Sequence, residues 1–143
     1  MAALPIRTLH VLAMAALVGG TTVLWYSYRS GAITSLVPAR QFEWLFWGGV
    51  GVLVFTGVGN LGALGPPGPG TDWGRTLLVK LTVVVGLVGG SVVRTLLLVQ
   101  ASDREGTAGD LSPPLRRTLS RAYGATAAVL LSIVVLAEVL AHG

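Results

Sequence analysis

Four polar residues stand out because each interrupts a different apolar stretch: His10, Asn60, Lys80 and Glu138. His10 lies six residues into its stretch from the end nearest the N-terminus, and Lys80 lies three residues into the stretch that follows the Pro-Gly segment. Asn60 and Glu138 come four and three residues before the ends of theirs. At 1.5 Å per residue these offsets are ~5–9 Å, which puts all four groups in one layer. Imidazole and carboxylate are metal ligands, while an ammonium and an amide can set the charge and hydrogen bonding around them. An ammonium inside an apolar run costs roughly 2.5–3.5 kcal/mol at a bilayer centre and less near an interface. Lys80 therefore either reaches toward the headgroups or is needed inside the protein.

Met14 follows His10 by four residues, which stacks the two on one helical face. That spacing suits a His/Met pair on one metal or one macrocycle, and equally an ordinary apolar face containing a methionine. His142 beside the C-terminus reads as a solvated end residue or as a further ligand. The amide of Asn60 also suits a hydrogen bond between helices. Lys80 and Arg94 are fourteen residues apart, within ~40° of the same helical face, so Arg94 is expected at the inner rim of that face, where it can reach phosphates. Cysteine is absent, which removes disulfides, thiolate metal sites and thiol catalysis, and two methionines do not line a copper pathway. No Ser/His/Asp group, phosphate-binding glycine loop or HExxH motif occurs, and Gly57-Val58-Gly59 reads as helix packing. A haem held by two histidines across both leaflets is also excluded, since His10 and His142 fall on the same side.

The elements that position these residues follow from composition. The chain has 143 residues, 52% hydrophobic and 11% charged, with a mean hydropathy of +0.74. Soluble domains carry about 25% charged residues, and a chain this short cannot hide so much apolar surface from water. Four segments, about residues 4–28, 42–64, 77–99 and 119–141, are long enough to cross ~30 Å of hydrocarbon, and none alternates with a period of two. The fold class is all-α: a polytopic membrane protein, a single antiparallel bundle of four transmembrane helices. The first segment has the basic start of a signal peptide, but Trp25, Tyr26 and Tyr28 form an aromatic belt, and a retained span is expected. Gly65-Pro66-Pro67-Gly68-Pro69-Gly70 makes a stiff crossing, Asp72 is the expected N-cap of the third helix, and Ser112 that of the fourth. Residues 101–114 form a polar connection expected to be the most mobile. Seven arginines flank the first and third connections against Arg7, Arg75 and Lys80 on the other side, which predicts both termini outside the cytoplasm. The net charge of +4 is spread over helix ends and forms no stripe for nucleic acid. Partners are instead the lipid bilayer and, through faces rich in Gly and Ala, a second copy or a larger membrane complex.

The order Arg7-Thr8-Leu9-His10, Thr56-Gly57 with Asn60, Trp73-Gly74-Arg75, then Leu77-Leu78-Val79-Lys80-Leu81, and a last helix bearing Glu138 resembles the membrane domain of the copper resistance D family, with Trp73 in place of the usual tyrosine. The resemblance implies copper handling, commonly uptake, in the inner (cytoplasmic) membrane of a prokaryote. His10 and Lys80 also match by position the histidine and lysine of the HemJ-type four-helix protoporphyrinogen oxidases, a group for which haem b is implied.

Three functions are consistent with these residues. In a copper-handling protein, His10 is the principal ligand with Glu138 and Met14 or His142, while Lys80 and Asn60 tune the site. In a haem b redox protein, which would make the chain an enzyme, His10 is the axial ligand and Lys80 or Arg75 pairs with a propionate. The third is a non-catalytic accessory subunit.

Overall fold

The computed structural model describes the backbone of residues 3–64 and 70–142 and the side chains of residues 4–59 and 70–139. Asn60, His142 and most of the Pro-Gly connection therefore lie outside the described side chains or backbone. Four helices follow one another: α1 (Ala3–Ser30), α2 (Val37–Leu64), α3 (Asp72–Glu105) and α4 (Pro113–His142). All four are long and apolar enough to cross a membrane. Each helix extends past its apolar run, because charged residues such as Arg40, Arg104 and Arg116 continue it into the headgroup zone. Thr71, not Asp72, is the N-cap of α3: its hydroxyl accepts the amide of Gly74 at 3.1 Å, and Asp72 sits in the first turn, where its charge complements the helix dipole. Ser112 gives its carbonyl to the first turn of α4 and its hydroxyl to Glu105.

The helices are ordered α2–α1–α4–α3 around the bundle. α1 packs along both α2 and α4, α3 packs along α4, and the backbones of α2 and α3 scarcely approach each other. Large apolar side chains point outward on every helix, among them Trp44 and Phe55, more than four-fifths exposed. That is the surface hydrocarbon requires and water would penalise.

At the end carrying the first and third connections, the two segments are tied together. Leu36 donates its amide to Thr107 at 3.2 Å, and Leu111 donates to Thr34 at 2.7 Å. Leu36 and Leu111 are buried beneath this pairing. The connection expected to be most mobile is thus hydrogen-bonded to its neighbour. Glycines set the close approaches. A Cβ at Gly124 would lie 2.7 Å from Trp25 Cδ1, and one at Gly20 would overlap the Phe42 ring, whose Cζ would be 2.9 Å away. With no hydrophobic drive in lipid, this backbone proximity is what holds α1 to its neighbours.

Gly20→Val should therefore cost about 1–3 kcal/mol by overpacking against Phe42. Gly19→Val, beside which nothing lies within 4 Å, should change stability by no more than about 0.5 kcal/mol. Thermal unfolding of both variants in detergent checks the contrast.

Candidate functional site

Toward the end carrying the termini, α1 and α2 bring together His10 and Thr56. His10 Nδ1 lies 2.7 Å from Thr56 Oγ1. The Thr56 hydroxyl also lies 2.7 Å from the carbonyl of Val52 in its own helix. When its proton goes to Val52, Thr56 accepts from the ring in the tautomer that carries its proton on Nδ1, which leaves the lone pair on Nε2. Orientation of one ring nitrogen by a fixed acceptor is the arrangement found behind metal-ligating histidines. His10 on α1 and Lys80 on α3 are both half-buried. Met14, a turn further along α1, packs against the core. Gly124 lies beside Trp25, and about fifteen residues further along both antiparallel helices this register brings His10 level with the turn of Glu138. The Glu138 side chain is exposed. Arg75 is exposed too and pairs loosely with Asp72 at 3.9 Å. Among the described residues there is no group of three or more His, Cys, Asp or Glu able to hold one metal ion.

A second polar cluster lies in the half nearer the paired connections. Arg94 is not at a rim reaching phosphates: it is 2% exposed and donates from Nε to Glu43 Oε1 at 2.8 Å and from Nη1 to Thr126 Oγ1 at 2.8 Å. Tyr123 donates its hydroxyl to the same Glu43 oxygen at 3.0 Å, and Thr95 donates to Oε2 at 2.6 Å. Trp47 Nε1 in turn donates to Thr95 at 3.0 Å. The guanidinium lies against two aromatic rings, 4.2 Å from the Phe46 centroid and 4.9 Å from that of Tyr123. Arg94 Nη2 and Ser91 Oγ are the buried side-chain atoms without a hydrogen-bond partner among the described residues. Both residues line a narrow groove between α3 and α4. The cluster joins α2, α3 and α4 through side chains where the backbones of α2 and α3 stay apart. Its role in the geometry is that of a clamp.

Sequence reasoning passed over Glu43, because a carboxylate at the start of an apolar run reads as an interface residue. The available signal was a second charge, Arg94, inside another span.

Four membrane-length helices arranged antiparallel around two polar layers define an integral membrane protein. The family model described as copper resistance protein D matches residues 36–140, more than half of the chain, and the chain belongs to that family. The match takes in Glu43, Thr56, Lys80, Arg94, Tyr123 and Glu138, and begins after His10. No curated protein and no solved structure gives a significant match.

Removing one partner of the buried pair should be far worse than removing both. Glu43→Leu strands the Arg94 charge and should cost about 3–5 kcal/mol, whereas Glu43→Leu with Arg94→Met should recover most of that loss. A double-mutant cycle on unfolding in detergent measures the difference. Equal stabilities for Glu43→Leu and the native chain would remove the pair from the role of clamp.

Proposed function

We propose that this protein handles copper at the end carrying its termini, with His10 Nε2 as the first contact for the ion. The observation that carries the reading is the His10–Thr56 hydrogen bond, which orients the ring as a ligand. Membership of the copper resistance protein D family supports copper as the cargo. The thioether of Met14, on the same face one turn deeper, is the second donor, and nitrogen with soft sulfur favours Cu(I). Glu138, in the level turn of α4, offsets the cationic charge of the layer. Lys80 gives the site a positive charge of its own, so the ion is held weakly, as suits a cargo that must leave. Arginines concentrated at the paired-connection end favour that end in the cytoplasm and the copper site outside it, in a prokaryotic cytoplasmic membrane.

Cu(I) titration of the detergent-purified chain against a chromophoric chelator tests the site. His10→Ala should abolish binding, and Thr56→Val, which removes the acceptor but keeps the shape, should weaken it about 10–100-fold. Lys80→Met should tighten it by removing repulsion. Full copper binding by His10→Ala would overturn the assignment. A Soret band in the purified protein, lost in His10→Ala, would replace copper by haem b at the same histidine.

A further inference from the structure

At the paired-connection end, a polar recess of about 380 Å³ opens between α1 and α4, walled by Tyr28, Arg29, Arg116, Arg117, Ser120 and Arg121. Four guanidiniums from two helices surround it, and no carboxylate is among its walls. The ion pairs among the described residues are Arg75–Asp72 and Arg94–Glu43, so neither reaches these arginines. Of the carboxylates nearest in the chain, Glu105 is engaged by the hydroxyl and amide of Ser112. Arg117 and Arg121 stand four apart on α4, a spacing at which like charges destabilise a helix unless something neutralises them. Positive charge at a helix end needs no ligand to explain it. Its convergence on one recess does, because dispersed side chains would satisfy the charge bias with less repulsion.

The recess is also built. Its floor is made by buried residues, Tyr28 and Ser120. Tyr28 is fixed by its hydroxyl to Ser35 at 2.9 Å and by stacking on Tyr123, with ring centroids 6.1 Å apart. Arg29 is held over the Trp25 ring at 5.8 Å, and Arg116 is drawn against Gly31, where a Cβ would come within 3.0 Å of its Nη1. Gly31 has φ of +78°, so the backbone there is one that glycine adopts freely and other residues resist. Both walls belong to segments that cross the membrane, Leu4–Ser30 and Pro113–Val139, and the recess sits where these spans end.

We propose that this recess binds the phosphodiester headgroup of an anionic phospholipid, with Arg117 and Arg121 as the main phosphate contacts and Arg29 and Arg116 closing around it. Planar guanidinium forks match phosphate oxygens in pairs, and basic pockets between transmembrane helices take diphosphatidyl headgroups in this manner. The acyl chains lie along the apolar outer faces of α1 and α4. The site is distant from His10 and does not depend on the copper reading.

The test uses the full chain purified in detergent, with Arg117→Gln/Arg121→Gln as the variant, both positions being exposed. Cardiolipin should raise the thermal midpoint of the native chain, and native mass spectrometry should retain it in preference to phosphatidylcholine. The variant should lose about fivefold in affinity per arginine removed. Arg7→Gln/Arg75→Gln, at the opposite end, should behave as the native chain. Equal stabilisation by phosphatidylcholine, an unchanged affinity in the Arg117/Arg121 variant, or the same loss in the Arg7/Arg75 control would overturn the proposal. Inorganic phosphate reproducing the shift without lipid would overturn the lipid as its source.

Discussion

A guanidinium and a carboxylate removed from water in the middle of a membrane bundle are tolerable only together. Arg94 and Glu43 meet that condition with hydrogen bonds from Tyr123 and Thr95 and with aromatic rings against the guanidinium. In a medium of low dielectric neither charge has an alternative partner, so the pair fixes the rotation and depth of α2 and α3 relative to α4. Backbone contact between α2 and α3 is then unnecessary. Tyr123 carries the constraint onward, because the ring that donates to Glu43 also stacks on Tyr28 of α1. All four helices are thus referred to one pair of charges.

The bundle is unequal from end to end as a result. Near the connections, side-chain hydrogen bonds, stacked aromatics and two backbone bonds between connecting segments leave little freedom. Toward the termini the described polar groups are fewer, and His10 and Thr56 join side chains of different helices. The half nearer the connections is thus tied more tightly than the half nearer the termini.

Much of this was legible in the residues. Four long apolar runs without cysteines or period-two alternation left few options besides four spanning helices, and the small residues announced close packing. The helix ends were not legible from hydropathy, since Arg40, Arg104 and Arg116 lie beyond the apolar runs yet remain helical. The cap at Thr71 was hidden for a related reason: threonine and aspartate both cap, and only backbone geometry shows which stands outside the helix. That Lys80 and His10 share a level could be expected by counting along each span. The partner of His10 could not, because the register of α1 on α2 is decided by Phe42 against Gly20 and Leu17 against Gly49. Arg94 was noticed as a charge on the face of Lys80, but its partner is fifty-one residues away, and no local pattern relates them.

The weak seam between α2 and α3 has a consequence for how the protein is made. Those two helices are consecutive in the chain, yet their backbones scarcely meet, whereas α1 packs along α2 and α3 along α4. The molecule is in effect two hairpins that meet along α1 and α4 and through the Glu43–Arg94 pair. Halves synthesised separately would retain the α1–α4 surface and the two charges through which they meet.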